Sequence, residues 1–579
     1  MKNGVAYAPS PMLASPTPAW RSRFIMVLMA LAFAGLLGRA VYIQVIQNEF
    51  FRQKGEVRYA RTLTLQAHRG RILDRNGVVL ASSTPMTSIW AIPNDVPSTP
   101  ESLKKLARVL AIPMADLSKK LQGVDKTFVW LKRHLDESVA KEVAKLGIEG
   151  VHQRVEYKRQ YPENEVAAHV VGFNNVEDQG IGGIELAFNH ELGGRNGSRR
   201  VIKNRKGRVV EDVVEQVAPV DGLDVHLSID SRLQFFAFQQ IKAAVQQHKA
   251  QSGSVVVLDV QTGEVLAMAN YPSFMPDQRQ KPADFALRNR ALTDPFEPGS
   301  TMKPFVIALA LNKGIVTPNT LIQAAPGSMT VGNFTIKDSH AHGMLSVSEV
   351  IQKSSNIGTA RIAMKLSARE MWEMYSSVGF GQKPVQPFPR VVRGQLRPYK
   401  AWRPVEQATM SYGYGVSVSL TQLARAYTLF AREGDVMPAS LLKVDIPAAS
   451  QPVIQGKVAH EVRQMLHLVT DVGGTAPLAQ SLGYSVGGKT GTAYKYEGRG
   501  RGYAANKYRG VFAGIAPIDH PRIAVAVMID EPSSGLHFGG DVAAPVFSLT
   551  VQQTLRVLGV TPDMAVESRT VDRLAEEGI

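Results

Sequence analysis

The chain has 579 residues, with 66 Lys and Arg against 50 Asp and Glu for a formal net charge of +16. At roughly 150 residues per domain, this length implies about three or four modules and excludes one small domain. Apolar residues make up 44% and charged residues 20%, near the soluble globular average, which excludes a polytopic membrane protein and a disordered chain. With no cysteine, disulfides, Cys-ligated metals and thiolate nucleophiles are excluded, so a covalent catalyst must be Ser, Thr, Lys, Tyr or a carboxylate.

Residues 24–38 carry no charge, and after Arg39 the apolar character continues to Ile46. As a helix this run covers about 34 Å, enough for a hydrocarbon core of about 30 Å. Lys2, Arg21 and Arg23 precede it without an acidic residue, which predicts a cytoplasmic N-terminus and a single-pass anchor. Ala32-Phe33-Ala34 resembles a signal-peptidase site, but the apolar run continues well past it. Arg39 either snorkels to the outer headgroups or contacts another membrane helix.

Beyond the anchor, residues 47–222 read as a β-rich platform, with Asn76-Gly77 as a hairpin turn. The run 195–208 is strongly basic, with turns at Asn196-Gly197 and Lys206-Gly207, yet it has neither the aromatic interleaving nor the module of a nucleic-acid binder. From about Leu223 an α/β body begins. Residues 252–269 predict a hairpin around a Thr-Gly turn, 301–312, 347–365 and 420–432 predict helices, and 508–515 and 523–529 predict strands.

Three short elements carry the chemistry: Ser300-Thr301-Met302-Lys303 opening a helix, Ser354-Ser355-Asn356, and Lys489-Thr490-Gly491-Thr492 at a strand. Singly, each has an ordinary reading, Ser300 as an N-cap, Lys303 as surface charge and Lys-Thr-Gly as a turn; their order and spacing together point to catalysis. On a helix i and i+3 share a face, so Lys303 can reach the Ser300 hydroxyl and, if partly desolvated near other cations, serve as its base. The Ser300 N–H at a helix start is suited to an oxyanion. Ser354 can relay a proton to a leaving amine, and Asn356 can hold Lys303 or the substrate amide. Lys489 adds positive charge, the Thr490 and Thr492 hydroxyls suit a substrate carboxylate, Gly491 leaves room for substrate along the strand, and the Thr492 N–H completes the oxyanion hole. No H-E-x-x-H, P-loop or G-x-S-x-G element is present. His340 and His342 could share one side of a strand, but without a third ligand type they do not make a metal site.

These elements, with 69–81 (RGRILDRNGVVLA), 168–173, 180–185, 259–272, Tyr412-Gly413-Tyr414-Gly415 and 541–547, resemble the class B penicillin-binding proteins, most closely the septal cell-division transpeptidases of Gram-negative bacteria. The resemblance implies a mixed α/β fold, an antiparallel sheet flanked by helices on an elongated β-rich pedestal. It divides the chain into a cytoplasmic tail (1–23), a transmembrane helix (24–46), a pedestal (47–222), a transpeptidase domain (223–560) and a C-terminal tail (561–579).

The implied reaction is D,D-transpeptidation: Ser300 attacks a D-Ala-D-Ala stem peptide, releases D-Ala and passes the acyl group to a neighbouring amine. Lys303, Ser354, Asn356 and Lys489 complete the implied catalytic set, with Thr490, Gly491 and Thr492 binding substrate and His537 and Phe538 near the cleft. No cofactor, metal or nucleic acid is implied. The implied partners are stem peptides, β-lactams, a membrane glycan polymerase and other division proteins, in the inner membrane with a periplasmic catalytic domain. D,D-carboxypeptidation, a lateral-wall role and a pocket-bearing division scaffold are the alternatives.

Overall fold

The computed structural model describes residues 18–47, 49–50, 60–97, 99–122, 128–203, 209–277, 284–496 and 502–565. The first helix runs Ala19–Val41 and continues as a π-type turn over Tyr42–Ile46. It begins five residues before the uncharged run, directly after Pro18, whose fixed φ suits a helix start. The span is apolar on every side and none of its residues is buried, and it is long enough to cross a membrane. Arg39 lies 5.4 Å over the Tyr42 ring, which gives its guanidinium an aromatic neighbour.

Two compact units follow from the contacts: residues 1–67 with 195–220, and 68–194 with 221–579. Residues of the stretch 47–222 contribute to both units. The first unit carries an antiparallel sheet in which Gly197–Lys203 lies between Ala60–Leu65 and Val209–Val217. The turn expected at Lys206-Gly207 lies outside the described residues.

In the second unit, residues 68–194 share a hydrophobic core with the catalytic body: Ile72, Leu80 and Ile184 belong to the same cluster as Phe238, Val255 and Met268. The Asn76-Gly77 turn joins Ile72–Leu73 to Val79–Ala91 as expected, with Gly77 at φ +86°. Asp74 is fully buried beneath that turn. It accepts hydrogen bonds from the Asn76 and Val78 N–H groups, at 2.7 and 2.8 Å, and from the Ser231 hydroxyl at 2.9 Å. This fastens the hairpin to the first helix of the catalytic body, Ser231–Gln247.

The central sheet of that body has five antiparallel strands in the order Val265–Tyr271, Ser252–Asp259, Ile523–Asp530, Tyr503–Ala516, Gly487–Tyr496. Two of the three inner strands, Ser252–Asp259 and Ile523–Asp530, are buried along their whole length, which explains their near-continuous apolar sequences. Ser231–Gln247 and Ala544–Val557 pack with one another and on the sheet, and Leu420–Ala431 also packs on it. The Lys-Thr-Gly strand, Gly487–Tyr496, is thereby left at an edge.

Candidate active site

Ser300 stands in a 3-10 turn, Gly299–Met302, and the α-helix proper begins at Lys303 and runs to Asn312. Pro304 in the first helical turn costs no hydrogen bond there, because those N–H groups have no intrahelical partner. The turn is held from several sides. Thr301 donates to the Pro298 carbonyl (2.7 Å), and the buried Tyr427 hydroxyl donates to the Thr301 carbonyl (2.9 Å). Gly413, at φ +90°, packs so closely that a Cβ there would stand 2.2 Å from the Gly299 carbonyl oxygen. Glu297 accepts from the Gly415 N–H (2.8 Å) and the Tyr503 hydroxyl (3.0 Å), and burial raises its pKa. Ser300 itself is half-buried and its hydroxyl makes no hydrogen bond among the described residues.

Lys303 is fully buried. Its ammonium donates to the Ser354 carbonyl (2.5 Å) and hydroxyl (3.1 Å), not to Ser300. Burial pulls its pKa down to about 7, partly opposed by the charge of Asp338. The helix expected across 347–365 is broken at this point into Val347–Gln352 and Asn356–Ala363. Ser354 lies between them at φ +60°, a conformation that costs a non-glycine residue about 1–2 kcal/mol. Asp338 fixes the break, accepting from the Ser355 hydroxyl (2.6 Å), the Asn356 N–H (2.5 Å) and the Ile357 N–H (3.0 Å). A carboxylate at a helix start satisfies orphan donors and meets the positive end of the dipole. The Asn356 side chain donates to the Lys337 carbonyl (2.8 Å) and forms no hydrogen bond with Lys303 among the described residues.

Lys489 is also fully buried, and burial together with the charge of Lys303 lowers its pKa well below the ordinary value. Its ammonium donates to the Thr490 hydroxyl (3.2 Å), which also bonds the Thr475 hydroxyl (3.0 Å). The Thr492 hydroxyl accepts from the Gly539 N–H (3.1 Å). Gly491 has a packing reason of its own: a Cβ there would lie 2.7 Å from the Pro298 carbonyl oxygen and 3.0 Å from Thr301 Cγ2. The missing side chain lets the strand press against the nucleophile turn. His537 and Phe538 stand just before Gly539, His537 stacked on Tyr508 with ring centroids 4.1 Å apart.

Residues 253–552 match the penicillin binding protein transpeptidase domain, and residues 64–227 match the penicillin-binding protein dimerisation domain. The chain belongs to the penicillin-binding protein transpeptidase family. It is 40% identical over 555 residues, 95% of both chains, to a probable peptidoglycan D,D-transpeptidase PenA of Neisseria meningitidis. It is 38% identical to the peptidoglycan D,D-transpeptidase FtsI of Escherichia coli over 94% of this chain and 93% of that one. Among solved structures, the transpeptidase domain of Burkholderia pseudomallei penicillin-binding protein 3 aligns with a TM-score of 0.54 and 50% identity, covering 58% of this chain and 98% of that one. The class B resemblance and the mixed α/β fold drawn from the sequence both hold.

In this penicillin-binding protein the sequence motifs supplied the side chains that converge, but two supporting acids escaped them. Asp338 lies in the connection that also carries His340 and His342. That connection contains no strand: the strand Phe334–Lys337 ends first, so His340 and His342 do not share a strand face. Glu297 sits three residues before Ser300, and its acidity beside a nucleophile was the available signal.

Proposed function

We propose that this chain is a peptidoglycan D,D-transpeptidase that crosslinks stem peptides through an acyl-enzyme on Ser300. One observation carries the reading: a buried Lys303 amine with a pKa near 7 hydrogen-bonds Ser354 one turn from an unengaged serine hydroxyl. At neutral pH and above, much of that lysine is an unprotonated base. It takes the Ser300 proton as Oγ attacks the carbonyl of the penultimate D-Ala, and the Ser300–Lys303 contact closes as substrate arrives, since catalytic hydrogen bonds commonly tighten in the complex. The N–H groups of Ser300 and Thr492 stabilise the oxyanion. Ser354, hydrogen-bonded to Lys303, delivers a proton to the departing D-Ala nitrogen. An acceptor amine then attacks the ester and Ser300 regains its proton.

Lys489, Thr490 and Thr492 receive the terminal carboxylate, whose charge restores a counter-ion to a buried ammonium that lacks one. A β-lactam presents the same carboxylate and carbonyl and acylates the same serine. Labelling with a fluorescent penicillin tests this: Ser300→Ala is expected to abolish it, and retained labelling places the nucleophile elsewhere. A thioester stem-peptide mimic mixed with a D-amino acid distinguishes aminolysis from the hydrolysis of a carboxypeptidase.

The apolar helix serves as an inner-membrane anchor with a cytoplasmic N-terminus, supported by Lys2, Arg21 and Arg23. The catalytic domain then works in the periplasm on the septal wall, beside a glycan polymerase and other division proteins. Depletion is expected to give filamentous cells; round cells would assign the lateral wall instead.

A further inference from the structure

Outside the cleft, Arg290, Arg425 and Arg463 are largely buried guanidiniums with no ion pair among the described residues. Arg463 places all three nitrogens on carbonyl oxygens, of Phe430, Ile518 and Arg432. Arg290 and Arg463 also feel the charges of nearby carboxylates. Arg425 differs. Its Nε donates to the Met437 carbonyl (2.9 Å) and its Nη1 to the Val378 carbonyl (3.1 Å), while Nη2 makes no hydrogen bond among the described residues. Burial alone perturbs it, with no acidic group contributing.

Arg425 lines a cavity of about 110 Å³ between the helix Leu420–Ala431 and the segment 379–386. Exposed Lys383 stands at its mouth. Gln386, also in the wall, has a buried Oε1 with no hydrogen-bond partner, so the lining combines a guanidinium without an acidic partner and an unpaired acceptor. Gln422 stiffens the wall by donating to the carbonyls of Gly379, Gln382 and Arg393. Between Glu373 and Glu406 the chain holds Lys383, Arg390, Arg393, Arg397, Lys400 and Arg403 and no Asp or Glu, which biases the surroundings towards anions. The volume lies well below the roughly 300–1,000 Å³ of pockets for drug-sized ligands, so the occupant is a small group.

We propose that this cavity is a second carboxylate site, which binds the C-terminal residue of a wall stem peptide: Arg425 and Lys383 take the carboxylate and Gln386 Oε1 accepts the adjoining amide N–H. The site would hold a neighbouring peptide on the catalytic body without reacting with it. The peptide's origin in the wall rests on the function proposed above; the carboxylate-plus-amide chemistry does not.

The test uses the full-length, detergent-solubilised chain with its cleft blocked by benzylpenicillin, titrated with N-acetyl-D-alanine by calorimetry or ligand-observed NMR. Saturable binding is expected, with none for N-acetyl-D-alaninamide. Lys383→Glu, on the exposed rim, is expected to weaken binding several-fold with an unchanged melting temperature, and Arg425→Gln to abolish it. Gln386→Leu is expected to weaken N-acetyl-D-alanine but not acetate, which lacks the amide. No binding to the blocked protein, equal binding of the amide, equal binding of inorganic phosphate, or indifference to Lys383→Glu would each overturn the proposal. Failure of penicillin to acylate the chain would count against the proposed function instead, and the titration is then made on the unblocked protein.

Discussion

Two buried charge clusters in the same compact unit are built on opposite terms. Between residues 68 and 194, Arg69 and Arg159 share the fully buried Glu185, whose Oε2 and Oε1 accept at 2.8 and 2.6 Å. Arg69 also donates to the Asp178 carbonyl and the Asn189 side chain. In the cleft, Lys303 and Lys489 are equally buried, yet neither has an ion-pair partner among the described residues, and Asp338 acts on Lys303 without touching it. A buried charge held in ion pairs fixes geometry, and removing one partner is strongly destabilising. An unmatched ammonium is pushed towards neutrality, and a neutral lysine is a base. The first cluster spends its charge on shape, the second on reactivity.

The sharpest way to break this contrast is Lys303→Met. Penicillin acylation, followed by stopped-flow or gel fluorescence, is expected to fall by roughly 10²–10⁴-fold, the usual contribution of a general base. The melting temperature is expected to rise, because an unmatched buried ammonium is removed and an apolar chain of similar length replaces it. A fall in melting temperature would mean that the lysine is structural. Glu185→Ala should do the reverse, losing about 3–5 kcal/mol of stability in denaturant titrations, with acylation unchanged well below the transition.

The smallest expected effect is on pH. Lys303 titrates near 7 in the folded chain against an ordinary 10.5. The unfolded chain therefore binds more protons between those values, and this group's contribution makes stability rise with pH from about 7 towards 10. Acylation should rise through about pH 7 and level off above it. Asp338→Asn removes the charge that holds the Lys303 pKa up, so the inflection in the acylation profile should move to lower pH; a move to higher pH would show that another charge governs the lysine.

Much of the catalytic body was legible in the sequence because its signals are local. The hairpin at 252–269 follows from two apolar runs around Thr262-Gly263, and the buried inner strands from their near-continuous apolar sequences. The helix expected across 347–365 failed for a non-local reason: its apolar spacing is helical, but Asp338, from a separate connection, captures the N–H groups of Asn356 and Ile357 and restarts the helix there. Tertiary packing likewise carries Ile72, Leu80 and Ile184 into the core of the catalytic body, a contact that adjacency along the chain does not announce.

The sequence by itself determined the family, the apolar anchor, the order of the three motifs and which side chains could react, since residue identity and short-range spacing carry that chemistry. Only the tertiary structure decided that Lys303 turns to Ser354, that Asn356 faces Lys337, that Gly491 makes room for the nucleophile turn, and that burial lowers the pKa of both Lys303 and Lys489. Those outcomes depend on burial and on partners distant in the chain, and the electrostatic cost of burying an ammonium exists only once the walls around it have assembled.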